Sequence, residues 1–297
     1  MKRSSIIGVD LGGTKIAAAR YDPKTWEIEA KERIETHADQ SFSRVLEDMV
    51  RLILSLKTED TTAFGVGVPG LVEQPDGIVL RFPNIPGSDR IPLKELLHDA
   101  IGLPVFLEND GNCFALAEAI HGAGKDEKIV LGITMGTGVG GGIVLGKKLY
   151  HGHHGFAAEI GHMLLVPGKP PYETDDRRGD VEQFLSGSAL GKRCGQAKNP
   201  SEYLRGETCA FLLSDIIREV GWLCTSLIHL LDPSVIVFGG SAGRALAPHL
   251  DGIEKKLKHW LLPGTPLPKL TIGLLKDAGT RGAALLAQEP LHESESA

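Results

Sequence analysis

Ile133 to Leu149 reads ITMGTGVGGGIVLGKKL, with six glycines in seventeen residues. Apolar runs flank the glycines on both sides, which places the segment inside an ordered domain and not in a linker. KIVLGITMG (128–136) reads as a buried strand, GGGIVLG (140–146) as a second, and the glycines between them as a tight turn. The chain opens on the same grammar: SSIIGVDL (4–11), the turn GGTK (12–15), then IAAARYD (16–22).

Working outward, WEIEAKERIET (26–36) alternates as a third strand. SFSRVLEDMVRLILSL (41–56) spaces Phe42, Val45, Leu46, Met49, Leu52 and Ile53 at helical intervals, with Ser41 or Ser43 as cap. AFGVGVPG (63–70) and PVFLEND (104–110) read as strands, and GNCFALAEAIHGAG (111–124) as a helix stopped by glycines. After about residue 122 the pattern restarts with the glycine hairpin and a possible third strand at KLYHG (148–152). An irregular stretch over 167–179 follows, then a long helix over 209–232 and a strand at SVIVFGG (234–240). A helix over 244–261, a strand at KLTIGLL (269–275) and a last helix at RGAALLAQ (281–288) complete the pattern, before a tail (289–297) expected to fray. Hairpins followed by helices thus occur once in each half, which implies an internal duplication with a ligand cleft between the halves.

The 297 residues are enough for two ordinary domains, and 42% hydrophobic content supports a sizeable core. The net charge of -6 gives no basic footprint, so nucleic acid is not expected as a partner. Backbone N–H groups can still bind an anionic nucleotide. Cys113, Cys194, Cys209 and Cys224 show no CxxC spacing and no disulfide framework, so reduced, buried thiols are expected. The apolar run before Asp10 is too short for a signal-peptide core, and no later run reaches a membrane span, so no membrane partner and a soluble, cytoplasmic protein are expected.

Each glycine turn admits two readings. Glycine between two strands makes a hairpin; it also lets backbone N–H groups approach phosphate oxygens with no Cβ in the way. The candidates are Gly12, Gly13, Thr14 and Lys15 in the first turn and Gly136, Thr137 and Gly138 in the second. A third turn, FGGSAG (238–243), contributes Gly239 and Gly240. No GxxxxGK[ST] occurs, and the first two turns lead into strands where a dinucleotide fold needs a helix, so neither common nucleotide fingerprint fits. Asp10, ending the first strand, is either a turn-forming aspartate or a holder of the water shell of Mg²⁺. Glu108, Asn109 and Asp110 fall where a strand meets a helix, and Asp110 reads as a helix cap or as a base facing a ligand.

In order and spacing, GVDLGGTKIAAA, GVGVPGLVE, LENDGNCFALAEA, ITMGTGVGGGIVL, AAEIGHMLL, EQFLSGSAL and IVFGGSAG resemble the ROK sugar kinases, within the actin-like and hexokinase-like ATPases. The resemblance covers nearly the whole chain. It implies an α/β, two-domain actin-like (ribonuclease H-like) fold: 1–120 completed by a C-terminal helix at 279–289, and 121–278 carrying the second phosphate loop. It makes the two hairpin turns the ATP phosphate loops and sets Gly239 and Gly240 near the adenosine. Asp110 matches the catalytic aspartate, and Asn109, Asn84, Glu159, His162 and Glu182 match sugar-hydroxyl ligands, with Gly70 beside them. ATP, Mg²⁺, a hexose and a homodimer are what the family leads one to expect.

The match breaks most clearly at one place. Many ROK proteins hold a structural zinc with this His and three cysteines, whereas ETDDRRGDVE (173–182) puts Glu173, Asp175 and Asp180 at the cysteine positions. Zinc in structural sites favours Cys and His, so no ROK-type zinc is expected, and the hold on His162 and Glu182 is in question. HGHHG (151–155) offers three histidines without a spaced fourth ligand and reads as a polar loop near the cleft or an interface. Ala158 stands where the family usually has Gly.

Glucose phosphorylated on its 6-hydroxyl is the leading expectation, with N-acetylglucosamine, N-acetylmannosamine and fructose as alternative substrates. A ROK repressor would carry a helix-turn-helix before the first hairpin, which here starts by about Ser4, and would sit poorly with the acidic balance. A non-catalytic sugar-binding relative is the third reading.

Overall fold

The computed structural model describes residues 4–38, 40–83, 85, 87–195, 204 and 207–288. Contacts divide the chain into two compact units. One holds the segment up to Ala117, the loop His151–Ala157 and the segment from Lys276 onward; the other holds Glu118–Tyr150 and Ala158–Leu275.

In the first unit, strands β1 (Ser5–Leu11), β2 (Lys15–Tyr21), β3 (Ile28–Glu35) and β4 (Thr61–Val68) join a strand at Val105–Asn109 in one sheet. β1 pairs antiparallel with β2 and parallel with β4. Helix α1 (Phe42–Leu56) is capped by the Ser41 hydroxyl, which accepts the Arg44 N–H, and buries Val45, Met49, Leu52, Ile53 and Leu56. Each such side chain contributes about 1.5–3 kcal/mol when fully buried. Alternation along β1 divides its residues by face: Ile7, Val9 and Leu11 join the cluster under α1, while Ile6 joins the opposite cluster. That opposite face also carries Gly8 and Asp10.

A small antiparallel sheet follows, β5 (Val72–Glu73), β6 (Ile78–Arg81) and β7 (Asp89–Ile91), then α2 (Leu93–Ile101), β8 (Val105–Asn109) and α3 (Asp110–Ile120). The sequence reading contains neither this sheet nor α2. The order of the first large sheet is β3-β2-β1-β4-β8.

The second unit repeats it. β9 (Ile129–Met135), β10 (Val139–Leu145) and β11 (Lys148–Leu149) form antiparallel pairs, and strands at Val235–Gly239 and Lys269–Ile272 add in parallel. Helices α4 (Val181–Leu185), α5 (Gly187–Cys194) and α6 (Leu213–Leu231) precede β12 (Val235–Gly239), α7 (Gly240–Ala245), α8 (Leu250–Trp260) and β13 (Lys269–Ile272). The order β11-β10-β9-β12-β13 has the same connectivity and directions as the first sheet. Helix α9 (Ala278–Leu286) closes the described chain.

Several expectations need correction. The helix expected over 244–261 is two, α7 and α8, with a 3-10 turn at Ala247–His249. Pro248 lies in that turn; its missing N–H and fixed φ break the α-helical ladder. The helix expected from 209 starts at Leu213, after a 3-10 turn at Ala210–Leu212. Cys194 and Cys209, expected as thiols, form a disulfide, while Cys113 and Cys224 are free and buried. The end of α5 and the turn before α6 bring the two together within the core of the second unit, a return that a 15-residue spacing does not announce. The tail expected to fray lies outside the described residues. No helix among the described residues is long and apolar enough to cross a membrane.

Helix α9 lies against the first sheet at backbone distance. A Cβ on Gly8 would collide with the Thr280 carbonyl, and one on Gly65 of β4 with the Ala283 carbonyl. On the second unit's side, buried Glu118 accepts the backbone N–H groups of Ala123, Leu274 and Leu275.

Candidate active site

The first glycine turn is a closed hairpin: Gly12 donates its N–H to the Lys15 carbonyl at 2.9 Å. Thr36 braces it from β3's end, its hydroxyl on the Gly12 carbonyl (2.8 Å) and its N–H on the Thr14 carbonyl (2.9 Å). Gly13 is half-buried, whereas Thr14 and Lys15 are exposed at the tip. Asp10 lies on the α9 face, where a Cβ on Gly279 in α9's first turn would collide with its carboxylate. Burial pushes the Asp10 carboxyl up to about 6, against a smaller opposing pull from Arg33.

At the junction of β8 and α3 the capping question is answered by Asn109. Its Oδ1 accepts the N–H of Gly111 at 2.8 Å and of Asn112 at 3.3 Å, and its Nδ2 donates to the Gly70 carbonyl at 3.1 Å. Asp110 Oδ1 also accepts the Gly111 N–H, at 2.9 Å, so Asp110 stands in the first turn without carrying the cap by itself. Gly70 has φ +98°, and a Cβ there would stand 2.5 Å from the Arg81 carbonyl, so only glycine fits beside Asn109. Asn84 lies outside the described residues.

Glu108, one residue earlier, is 3% exposed. Its Oε1 accepts the Asn109 N–H (2.8 Å) and Asn112 Nδ2 (2.9 Å), and its Oε2 meets His151 Nε2 at 2.6 Å. Asp10, Glu108 and Asp110 surround Cys113, whose thiol is pushed up first by burial and then by these three carboxylates. That thiol stays protonated and is no nucleophile.

In the second unit, Gly136 donates to the Gly138 carbonyl at 2.9 Å, and Thr137 is exposed at the tip. Gly187 at the start of α5 donates to the Gly136 carbonyl at 2.7 Å. Glu182 on α4 accepts the Val139 N–H at 2.9 Å. Gly239 ends β12, and a Cβ on the next residue, Gly240, would approach Gly136 N to 2.9 Å; the third glycine turn therefore lies against the second. Burial raises the Glu159 carboxyl; His162 opposes the rise and Glu182 adds to it, which makes the three neighbours.

Asp180, at a position where the family pattern has cysteine, caps α4 by accepting the Gln183 N–H at 3.0 Å. Its Oδ2 lies 3.6 Å from His162 Nδ1 and 3.5 Å from an Arg178 guanidinium nitrogen. Arg178 in turn pairs with Asp176 at 2.7 Å, and Gln183 bonds Gly179 N and the Asp176 carbonyl. Asp176, Arg178 and Gln183 thus hold the 176–183 segment together, and Asp180 Oδ2, buried without a hydrogen-bond partner among the described residues, lies near His162. Among the described residues no three His, Cys, Asp or Glu side chains are grouped to hold a metal ion.

The expected site residues therefore fall into two sets. Asp10, Gly12–Lys15, Gly70, Asn109 and Asp110 belong to the first unit, and Gly136–Gly138, Glu159, His162, Glu182, Gly239 and Gly240 to the second. Sequence reasoning missed the Glu108–His151 pair and the Asp180 hub. The only signal for the former was a carboxylate beside Asn109 and an unexplained histidine loop.

A model of the ROK family matches residues 6–290. A glucokinase of Streptomyces coelicolor is 33% identical over 96% of this chain and 98% of its own length. An N-acetyl-D-glucosamine kinase of Vibrio atlanticus is 32% identical over 94% of this chain and 98% of its own. Among solved structures, a ROK family glucokinase of Streptomyces griseus in complex with glucose and AMPPNP superposes with a TM-score of 0.82 at 30% identity, covering 96% of this chain and 100% of that one.

Proposed function

The chain belongs to the ROK family, and on that premise we propose that it is an ATP-dependent sugar kinase that phosphorylates glucose on its 6-hydroxyl. The observation that carries the reading is the β8–α3 junction, where Asn109 caps the helix and Asp110 presents a carboxylate in its first turn.

In this reading Asp110 accepts the proton of the sugar hydroxyl as that oxygen bonds to the γ-phosphorus of ATP. The bond from phosphorus to the bridging oxygen breaks, and ADP leaves. A positioned general base contributes about 10²–10⁴-fold in rate. Asn109, Glu159, His162 and Glu182 hydrogen-bond the sugar hydroxyls; a sugar lacking one of them leaves a buried group unpaired and is rejected. The amides of the turns 12–15 and 136–138 take the phosphates, and Gly239 and Gly240 pass beside the adenosine. Mg²⁺ bound with ATP neutralises phosphate charge. Asp10 fits a role in holding its water shell, because burial leaves that carboxylate short of a compensating cation.

The N-acetyl-D-glucosamine kinase of similar identity supports a second reading, an amino-sugar substrate. ADP release with Mg-ATP, measured across glucose, N-acetylglucosamine, N-acetylmannosamine, mannose and fructose, decides between them. Turnover with glucose that is lost in Asp110→Asn supports the proposal, and turnover confined to N-acetylglucosamine or N-acetylmannosamine supports the second reading instead. No turnover with any sugar, while ATP still binds, overturns it.

A further inference from the structure

The loop HGHHG has no part in the function proposed above, yet the first unit includes His151–Ala157. Ala157 donates its N–H to the His151 carbonyl at 3.0 Å and closes the loop on itself. Gly155, at φ +88°, lets the loop backbone come against β5, where a Cβ would stand 3.3 Å from the Val72 carbonyl. The next residue but one along β5's exit, Gln74, donates to the Leu107 carbonyl of β8 at 2.8 Å. The loop is therefore seated against β5, whose exit is tied to β8, the strand that ends at Asn109.

His151 reaches from this loop to the buried Glu108 carboxylate at 2.6 Å. The other oxygen of Glu108 holds two groups on either side of Asp110 in sequence, the Asn109 N–H and Asn112 Nδ2. Asn112 Oδ1 is buried without a hydrogen-bond partner among the described residues, so its side-chain amide is oriented through Nδ2 on Glu108. The carboxylate thus spans the strand-to-helix junction in which Asp110 stands. A buried carboxylate deprived of one partner reorganises or takes up a proton, and either change loosens what its other oxygen holds.

From this arrangement we infer that His151 is a positioning residue for phosphoryl transfer, acting through Glu108 to fix the start of α3 and with it the Asp110 carboxylate. The inference rests on the reading of Asp110 as the base. His151 touches neither sugar nor nucleotide in this role. Misplacement of a reacting group by an ångström costs up to about 100-fold in rate, so the effect falls on kcat and not on the affinity for either substrate.

The surroundings supply a decisive test. The His151 side chain is 40% exposed and borders a cavity of about 610 Å³ lined also by Glu73, Lys94, His153 and Phe156. A free imidazole molecule can enter there once the ring is removed. Full-length His151→Ala is expected to lose about 10- to 100-fold in kcat, with both KM values within about twofold of wild type. Added imidazole is expected to restore a large part of that loss, and His151→Gln, which keeps a donor at the same reach, to lose less than His151→Ala. Unchanged kcat, a rise confined to the sugar KM, or a loss that imidazole and Gln both fail to recover overturns the inference. Asp110→Asn is measured in parallel: if it retains wild-type kcat, the reading of Asp110 fails and this inference with it, whereas an inactive Asp110→Asn beside an unaffected His151→Ala defeats this inference alone.

Discussion

Glu182 accepts the backbone N–H of Val139 at 2.9 Å, so a side chain of α4 holds the first residue beyond the glycine turn 136–138. A Cβ on Gly138 would stand 2.5 Å from that same carboxylate oxygen and displace it. A hydrogen bond to a charged group contributes about 1.5–3 kcal/mol, so Gly138→Ala is expected to raise the KM for ATP by roughly tenfold or more. Glu182→Ala should raise the KM values for both sugar and ATP, because one side chain braces the turn and is also proposed to bind the hydroxyls. Steady-state kinetics with each substrate varied in turn checks both.

Asp110→Asn is expected to lower kcat by about 10²–10⁴-fold and to leave thermal unfolding nearly unchanged, since Asn109 takes the capping N–H groups. Asn109→Ala should do the reverse in part, costing about 0.5–2 kcal/mol of stability through the lost cap. Unfolding curves for the two variants, set beside their turnover numbers, separate base from cap.

The buried Asp10 gives a pH signature. Its carboxyl is raised from 3.8 to about 6 in the folded chain. The folded state therefore holds the proton more tightly than the unfolded one. The stability this contributes is fully present below the unfolded value and is lost as pH rises through about 6. The difference amounts to roughly 3 kcal/mol. Asp10→Asn should gain stability relative to wild type between pH 4 and pH 7 while losing activity, as read by unfolding midpoints across that range.

The disulfide between Cys194 and Cys209 closes a 15-residue separation. In the chain-entropy account a loop of this size contributes about 3 kcal/mol. Cys209→Ser or dithiothreitol treatment is expected to lower the unfolding midpoint by several degrees, with Cys224 and Cys113 unreactive toward thiol reagents until unfolding because both are buried.

The sequence was most legible where local pattern and tertiary need coincide. Val45, Met49 and Leu52 sit at helical spacing and pack as one face, and the two glycine hairpins are hairpins. It was silent on α2 and on the small β5–β7 sheet, whose strands of two to four residues are too short to carry a period. Glu108 and His151 are 43 positions apart, and Cys194 and Cys209 are 15 apart; neither contact leaves a local trace. The role of Asp180 was hidden for a different reason. Its residue type announces neither its burial nor its cap on α4, which come from the fold around it.

The contacts of α9 with Gly8 and Gly65 tie the end of the described chain to its beginning. A ribosome releasing the chain from its N-terminus would deliver β1, β2 and β4 more than two hundred residues before the helix that covers them. The second unit, by contrast, is complete once Leu275 has emerged. The half made first must then wait with one sheet face uncovered while the half made later finishes, and that exposed face is where nascent chains would adhere to one another or to a chaperone.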